Sequence, residues 1–518
     1  MIKRIFQSPG AALWAVFLWK IALLAFTAQP VPSNDAFFYD GPVVNFLLHG
    51  KYANPSLALA LPISGLEVFC AYPPLYQVVL LAWMSLFGTS VMAAMVLHLV
   101  LFGVYLMILL AIFRRLDLPL WANNLASAFV LVITFHDRPD SLAHVFGMAA
   151  VYCWIRSCQA PGKAADSRRS GWSWAMMAFA VLSLCTGLQI GALYFLLLWT
   201  GVLAARCLRG DYIPLAPLAV LTLIPAALVA LVVFAFPHIW AGFLEHARQT
   251  PSLSGWRIPR LGELLKVVRT VPGILAAGFG VLYLLPKRDA LRNSGKELLW
   301  IVALTCTLAG LVMTFGSLTV LTANAVGFSA YLQPLAVAAF LGLAAPLFSA
   351  PVRARFTVLL FIGLAALGSI RAIGMTTWGI ACATDVSQRS ALQRVRTEIQ
   401  GIGKGQPVVF SGAYLHEAAP HSDFQWIHSD WLAPAKKGEN DFDSNALIRV
   451  KPVKLVLTQF DYYRRYQPVL ESLKLRPDLV SLEIIDTARV PPPDSIKSLQ
   501  RVVQHISWAP VIVNLSWK

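Results

Sequence analysis

The sequence predicts a polytopic α-helical membrane protein with about 11 transmembrane helices and a C-terminal extracytoplasmic α/β domain. Three observations predict this class: 57% of the 518 residues are hydrophobic, only 13% are charged, and the mean hydropathy is +0.64. Soluble domains carry roughly a quarter charged residues, so most of this chain has lipid as its solvent. A water-soluble globular protein is thereby excluded. The net charge of +16 bears on membrane orientation, and no nucleic-acid partner is expected.

Eleven apolar segments have the length of a membrane-spanning helix, which needs roughly 20 predominantly apolar residues. The first of them lacks a small-residue cleavage site, so we expect a retained anchor helix and not a signal peptide. The predicted spans are 11–29, 90–113, 118–135, 140–157, 171–187, 188–205, 214–236, 270–286, 297–318, 325–348 and 356–375.

The basic residues orient these spans. Lys3 and Arg4 precede the first span and place the N-terminus in the cytoplasm, and alternation then puts most basic residues there too, including Arg114 and Arg115. Residues 73–87 are also apolar, but at about 15 residues they are short for a span. Counting them as a span would move Arg114 and Arg115 outside, so we predict a helix that lies in the membrane interface.

The chain divides into two predicted domains: a transmembrane catalytic domain over 1–377, with a long outer loop at 30–89, and a soluble outer domain over 378–518. In the second domain, short apolar runs alternate with predicted helices, which is the pattern of a small α/β or α+β domain. The predicted strands are 407–410, 453–458, 480–485 and 510–517, and the predicted helices are 385–400, 461–474 and 494–504.

Two carboxylates, Asp35 and Asp40, lie in the outer loop just past the first span. A carboxylate at the membrane surface can act as a general base on an acceptor hydroxyl, although a solvated or helix-capping acid would look the same in sequence. Aromatic residues occupy 37–39, and the run Tyr-Pro-Pro-Leu-Tyr at 72–76 ends the loop. The two acids therefore lie among groups suited to the bilayer interface, which favours a catalytic interpretation.

This loop resembles that of a known family. The shared features are the aspartate after the first helix, Gly50 fifteen residues beyond Asp35, the run at 72–76, Leu-Phe-Gly at 86–88 and a following helix that ends in Arg-Arg. They are similar to the GT-C glycosyltransferases, in the branch of the protein O-mannosyltransferases and the aminoarabinose transferases of lipid A. The resemblance covers about residues 1–160 well. It implies a GT-C fold, a catalytic acid in the loop, a polyprenyl-phosphate sugar donor and a place in the bacterial inner membrane.

The family's site residues carry over only in part. Asp35 matches the first residue of the family's Asp-Glu pair, and the resemblance implies that Asp35 is the catalytic base that activates the acceptor. The second position is Ala36 here, which leaves Asp40 as a candidate substitute in substrate binding. Tyr72, at the start of the aromatic-proline run, is a further candidate substrate-binding residue.

Arg138 and Asp140 form a second candidate pair, in the predicted outer connection between the third and fourth spans. Asp140 can cap the fourth helix, whereas Arg138 can form fork-shaped, charge-assisted bonds to a donor phosphate. An Arg-Pro-Asp at this loop also resembles a subset of bacterial GT-C proteins. Both a structural role and a substrate contact stay open.

The outer loop at 237–269 carries several cations among tryptophan and phenylalanine residues. They can pair with lipid headgroups or with nearby glutamates, or they can hold the phosphate of a lipid donor and stabilise it as a leaving group. Arg257 and Arg260, beside a tryptophan ahead of the next span, are the preferred candidates for contact with the donor phosphate.

No cofactor or metal is expected. The seven cysteines are scattered without Cys-x-x-Cys spacing, which predicts neither a disulfide framework nor a zinc site. In the tail, the spacing of His416, Glu417, His421, Asp423 and His428 fits no standard metal site, and we expect these residues in a solvated loop. Cationic side chains can neutralise a leaving phosphate without a metal, so metal independence is predicted.

These observations predict an inverting glycosyltransferase that moves a sugar from a polyprenyl-phosphate donor to a glycan, lipid or protein acceptor at the outer face of the membrane. The tail domain would cover the site and help to select the acceptor. A transporter or lipid flippase, or a non-catalytic scaffold, would share the many spans. Transporters usually show internal repeats and broken midplane helices, which the sequence does not display, and the acidic-aromatic loop has no evident role in them.

Overall fold

The architecture comes from a computed structural model, which describes most of the chain. The described residues are 10–27, 36–52, 74–133, 138–159, 165–209, 261–284, 296–320, 325–344, 359–370, 391–418, 425–429, 444–486 and 510–518, with isolated positions at 219–234, 356, 357 and 420. Helices fill the described part up to residue 370, and a small sheet lies in the C-terminal quarter.

Up to residue 370, thirteen α-helices have described bounds. They are α1 Ala11–Thr27, α2 Ala36–His49, α3 Leu75–Phe87, α4 Val91–Arg115, α5 Leu120–Ala128, α6 Asp140–Gln159, α7 Ala165–Thr186, α8 Leu188–Arg209, α9 Leu261–Thr270, α10 Pro272–Leu284, α11 Glu297–Val320, α12 Gln333–Ala344 and α13 Leu359–Ile370. Short 3-10 helices extend α5 through Phe129–Val132 and precede α12 at Ala325–Leu332. Ser90 caps α4, since its side chain accepts from the Ala93 N–H at 3.2 Å.

Four described stretches are long and apolar enough to cross a membrane: Val91–Arg115, Leu188–Cys207, Glu297–Gly316 and Gly327–Ala344. Shorter apolar helices lie within five other predicted spans, at Ala11–Phe26, Leu120–Leu131, Gly171–Thr186, Pro272–Leu282 and Leu359–Ile370. The predicted span at 214–236 lies largely outside the described residues. The chain thus has the helices of a membrane protein, and the total of eleven crossings stays a prediction.

The apolar segment at 73–87 forms α3, a helix of 13 residues, which is shorter than a membrane span. One face, with Tyr76, Leu80 and Met84, is buried on the bundle, while Leu86 and Phe87 on the other side are exposed. An apolar exposed face suits contact with lipid, and the interfacial placement of α3 stays a prediction.

Glycines let neighbouring helices of the bundle approach closely. A Cβ at Gly147 of α6 would lie 2.0 Å from the Tyr194 ring of α8, and a Cβ at Gly280 of α10 would lie 2.1 Å from the Phe340 ring of α12. Small residues at such contacts are typical of helices in lipid, where close packing replaces the hydrophobic drive for association.

Glutamine side chains at helix ends bond to the backbone of neighbouring segments. The Gln333 side chain accepts from the Gly273 N–H at 2.9 Å and donates to the Thr270 carbonyl at 2.8 Å, which ties α12 to the turn between α9 and α10. The Gln159 side chain, at the last residue of α6, donates to the carbonyl of Arg115, the last residue of α4, at 2.8 Å. The alternation of the spans and the end that faces the cytoplasm both stay predictions.

The C-terminal region holds a five-stranded sheet of strands β1 Pro407–Phe410, β2 Gln425–His428, β3 Lys454–Thr458, β4 Leu479–Asp486 and β5 Pro510–Trp517. The strand order is β2-β1-β3-β5-β4. Strand β1 pairs in parallel with β2 and β3, whereas β5 pairs antiparallel with β3 and β4. The helices of this region are α14 Ala391–Gln400, α15 Leu415–Ala418, α16 Ser444–Val450 and α17 Gln467–Leu473.

The sheet has two apolar faces because successive side chains of a strand point to opposite sides. Val409 belongs to a core within the C-terminal region. Val408 and Phe410, on the other face of β1, belong to a core that is continuous with that of the helix bundle. The short helix α15 follows β1 and packs against α2. The C-terminal region is therefore docked on the bundle through the segment that leaves β1.

All four predicted strands are present, each within a residue of its predicted bounds. The predicted helix at 385–400 is described only as Ala391–Gln400. The predicted helix at 461–474 corresponds to a turn of α-helix at Gln459–Asp461, a π-helical turn at Tyr462–Tyr466 and α17. The predicted helix at 494–504 lies outside the described residues. Strand β2 carries no apolar run in its sequence Gln-Trp-Ile-His, so periodicity does not predict it.

Candidate active site

A buried carboxylate, Asp40 on α2, lies at the centre of a polar cluster at one end of the bundle. Asp40 is 0% exposed. The Tyr76 hydroxyl, from the first turn of α3, donates to Asp40 Oδ1 at 3.2 Å. Burial of a carboxylate is costly unless both oxygens are satisfied, so the second oxygen requires a partner as well.

That partner is His416, which reaches Asp40 from the C-terminal region. Its Nε2 lies 3.3 Å from Asp40 Oδ2, and its Nδ1 lies 2.8 Å from the Thr89 carbonyl oxygen. Both side chains are almost fully buried, at 2% and 0% exposure. The expectation that His416 and Glu417 lie in a solvated loop is therefore wrong, because α15 docks them against the bundle.

The proton count of this pair follows from its partners. The Thr89 carbonyl can only accept, so Nδ1 of His416 carries a proton. Nε2 faces a carboxylate oxygen, and one further proton lies between them. Burial by itself lowers the pKa of His416, but the hydrogen bond to Asp40 and the charges of Asp40 and Glu417 outweigh it and raise the net pKa above its usual value. This shift favours the imidazolium form of His416 beside Asp40.

His98 of α4 extends the cluster into the bundle. Its Nε2 lies 3.0 Å from the Tyr76 hydroxyl oxygen, and the two rings stack with centroids 5.8 Å apart. Because the Tyr76 hydroxyl proton points to Asp40, His98 donates from Nε2. We refer to Asp40, Tyr76, His98 and His416 as the Asp40 network. Its members come from four separate segments of the chain.

Glu417 lies beside His416 and is buried at 3% exposure. Its Oε1 lies 3.6 Å from Arg396 Nη2 of α14, while its Oε2 has no hydrogen-bond partner among the described residues. Burial raises the pKa of Glu417 above its usual value, against the lowering effect of His416 and Arg396. A second ionisable group therefore adjoins the imidazole that faces Asp40.

Arg138, which pairs with Asp140, contacts α2, the helix that carries Asp40. Arg138 Nε is 3.2 Å from Asp140 Oδ2, and its Nη2 donates to the Tyr39 hydroxyl at 3.4 Å. The guanidinium also lies 5.7 Å from the centre of the Tyr39 ring. Tyr39 precedes Asp40 directly, so the structure brings the predicted Arg138 and Asp140 to the segment that carries Asp40. Asp140 is the first residue of α6.

An aromatic layer that the sequence does not reveal lies below this pair. His144 of α6 stacks on the Tyr331 ring with centroids 3.6 Å apart, and its Nδ1 is 3.0 Å from the Tyr194 hydroxyl. The Tyr105 hydroxyl donates to the Tyr331 carbonyl at 2.6 Å. Lone polar residues within apolar segments were the only signal available for this layer.

The remaining predicted site residues are Asp35, Tyr72, Arg257 and Arg260, and they lie outside the described residues. Their roles stay predictions, as does a substrate contact by Asp40, whose two oxygens are bonded to protein groups. Over the described part of the chain, no group of three or more His, Cys, Asp and Glu side chains is arranged to hold a metal ion. Five described cysteines, Cys153, Cys158, Cys185, Cys207 and Cys306, are free thiols.

No protein-family model and no curated protein sequence matches this chain. Among solved structures, it is similar to an oligosaccharyltransferase of Archaeoglobus fulgidus in complex with zinc and sulfate, at 12% identity and a TM-score of 0.46. That similarity covers 86% of this chain and 68% of the other. A similarity at this distance assigns neither a family nor an activity, and the function proposed below rests on this chain's own residues.

Proposed function

We propose that this protein is a membrane glycosyltransferase of the GT-C type, which transfers a sugar from a polyprenyl-phosphate donor to an acceptor at the outer face of the cytoplasmic membrane. One observation carries the proposal: the loop helix that begins directly after Asp35 contacts Arg138 through Tyr39. A candidate base and a candidate phosphate ligand thus belong to segments that touch. This arrangement suits a reaction that needs both a proton acceptor and an anion-stabilising cation.

The proposed step is a single displacement at the anomeric carbon. The acceptor O–H bond breaks and its proton passes to the Asp35 carboxylate, while the acceptor oxygen forms a bond to the anomeric carbon. The bond from that carbon to the donor phosphate oxygen breaks, and its electron pair leaves with the lipid phosphate. Attack opposite the leaving group inverts the configuration of the sugar.

Cations would stabilise the leaving phosphate. Arg138 is the first candidate because a guanidinium forms two parallel bonds to phosphate, and Arg257 and Arg260 are further candidates. Arg138 now engages Asp140 and Tyr39, which would orient its guanidinium ahead of donor binding. The charge can come from these side chains alone, so the reaction is proposed to need no metal.

The predicted layout completes the proposal. A multi-pass domain over 1–377 would lie in the cytoplasmic membrane with its N-terminus inside, and the domain over 378–518 would lie on the periplasmic or extracellular side. The contact of α15 with α2 supports placing the C-terminal region on the same side of the membrane as the loop that carries Asp35. Glycan, lipid and protein acceptors are all compatible with this geometry.

The test is Asp35→Asn in the full chain, which removes the base with little change in size. In a strain that lacks the protein, the lipid-linked sugar donor should accumulate and be seen by mass spectrometry of lipid extracts. Wild-type chain should clear the donor, and Asp35→Asn should slow this clearance by about 10²- to 10⁴-fold, the usual contribution of general-base catalysis.

Asp117→Asn is the matched control. Asp117 is exposed near the Arg115 end of α4, and its φ of 48° is one that asparagine also tolerates. The control should clear the donor like the wild type at equal membrane level. Equal clearance by Asp35→Asn and wild type would overturn the proposal and favour a transporter or a scaffold.

A further inference from the structure

We propose that His416, from the C-terminal region, is a positioning residue for the transfer reaction: it pairs with the buried Asp40 and thereby fixes α2, whose first residue follows Asp35. This inference rests on the proposed function, because it assigns His416 a part in the same site. It makes the C-terminal region a working component of that site as well as a cover.

Among the described residues, His416 is the partner of Asp40 Oδ2. The imidazole joins two different elements, since Nδ1 donates to the Thr89 carbonyl ahead of α4 and Nε2 faces Asp40 on α2. Loss of this side chain would leave a carboxylate oxygen buried without its charged partner, which is far more costly than loss of an exposed pair.

The segment that carries His416 is itself buried and hydrogen-bonded. It lies five residues beyond Ser411, at the carboxyl end of β1, where the Ser411 hydroxyl donates to the buried Asp461 and accepts from the Thr458 N–H at 2.9 Å. Tyr414 and Leu415, on the way to His416, are fully or almost fully buried at 0% and 2% exposure. The sheet therefore presents His416 from a fixed segment.

Helix α2 links Asp40 to the groups proposed to react, Asp35 and Arg138. Asp40 lies in the second turn of α2, and its neighbour Tyr39 contacts Arg138. A shift of Asp40 would move the start of α2 relative to Arg138. Misplacement of a catalytic group by about 1 Å can cost on the order of 10²-fold in rate, so a residue that never touches substrate can control turnover.

Other ionisable groups also face the pair. Tyr76 and His98 lie beyond Asp40 on α3 and α4, Glu417 adjoins His416 on its own helix, and Arg396 of α14 holds Glu417. Burial raises the pKa of Tyr414, aided by the charges of Asp461 and Glu417, so this phenol stays neutral. The raised pKa of His416 favours its imidazolium form, and loss of that proton as pH rises would remove the charge that faces Asp40.

The experiment compares His416→Gln with His49→Gln. His49 lies at the exposed C-terminal end of the same helix α2 and is a matched histidine control. Purified full-length chains are added to membranes of the deletion strain, which contain the accumulated lipid-linked sugar as the probe. Its consumption is followed between about pH 6 and pH 9, across the range where a histidine with a raised pKa changes charge.

We expect His416→Gln to lower the maximal rate by about 10- to 100-fold, with little change in the amount of membrane needed for half-maximal rate, because a positioning defect acts on turnover. The wild type and His49→Gln should lose rate as pH rises past the raised pKa of His416. His416→Gln should lack this alkaline decline while keeping the acidic one that belongs to the base.

Each outcome separates the two proposals. A full rate for Asp35→Asn in the same assay overturns the proposed function, whatever His416→Gln does. If Asp35→Asn loses donor consumption but His416→Gln keeps the full rate, only the role of His416 is overturned. The same holds if His416→Gln shows an unchanged alkaline decline. If the His416→Gln chain does not accumulate, Asp40→Asn is used in its place, because it removes the other partner of the pair. Absence of an alkaline decline in the wild type overturns the role of His416 and leaves the proposed function standing.

Discussion

Two buried aspartates, Asp40 in the helix bundle and Asp461 in the C-terminal sheet, are both 0% exposed yet have different partners. Asp461 accepts from the hydroxyls of Ser411 and Ser429, while its own N–H donates to the Thr458 hydroxyl at 3.2 Å. We refer to these four residues as the Asp461 network.

The Asp461 network lies at the carboxyl ends of β1, β2 and β3, and it uses hydroxyl donors that keep their protons across the neutral pH range. The Asp40 network joins segments 376 residues apart through a histidine, whose side chain is ionisable. A fold that only needs a satisfied carboxylate is served by neutral donors, as at Asp461. An ionisable partner brought from so far along the chain suggests that Asp40 serves the site.

The largest expected effect is on stability, at Asp461. Asp461→Ala would leave the Ser411 and Ser429 hydroxyls buried without their acceptor, at a cost of about 3 kcal/mol in the free energy of unfolding of the C-terminal region. Limited proteolysis of the purified chain would report this as faster cleavage beyond residue 391. Asp461→Asn keeps one acceptor oxygen and should show a smaller change; equal resistance of wild type and Asp461→Ala would break the comparison.

Asp40→Asn should affect activity more than folding. It removes the charge that holds the His416 imidazolium, but the histidine can lose its proton, so the expected cost in unfolding free energy is about 1–2 kcal/mol. Donor consumption should fall by about 10- to 100-fold because α2 is no longer fixed. A thermal melt and a rate of donor consumption, measured on one preparation, test the two expectations. A loss of stability as large as that of Asp461→Ala would show that the two aspartates have the same role.

The pH dependence of stability should come from the Asp40 network. The folded pKa of His416 is raised, so the pair's stabilisation is fully present below the ordinary histidine pKa of about 6.5 and is lost as pH rises through the folded pKa. The melting temperature should therefore fall with rising pH above this value, and less so in Asp40→Asn. Glu417 also has a raised pKa, but its window begins lower, near the ordinary glutamate range, and Glu417→Gln serves as the control.

The smallest effect is expected for an exposed pair. Lys474 Nζ lies 2.8 Å from Glu471 Oε1, on side chains that are 45% and 55% exposed. Glu471→Gln should change the unfolding free energy by less than about 0.5 kcal/mol, with no change in donor consumption. A larger effect in the same melt would show that loss of any carboxylate, buried or exposed, disturbs this protein.

Hydropathy predicts the bundle better than the site. Predicted span 297–318 corresponds to Glu297–Val320 and predicted strand 510–517 to Pro510–Trp517, because apolar length and alternation are local properties. The structure brings Arg138 to Tyr39 on the helix that follows Asp35, and the common outer face stays a prediction. The pairing of His416 with Asp40 escaped prediction, since a histidine among neighbouring histidines and acids carries no local sign of a partner 376 residues away.

The distance in sequence between Asp40 and His416 also sets an order of assembly. Ribosomes synthesise Asp40 before most of the helix bundle, and His416 376 residues later. Every nascent chain therefore carries Asp40 without its histidine partner while most of the helices have already been made. A chain interrupted before the sheet is complete would leave α2 without its contact to His416.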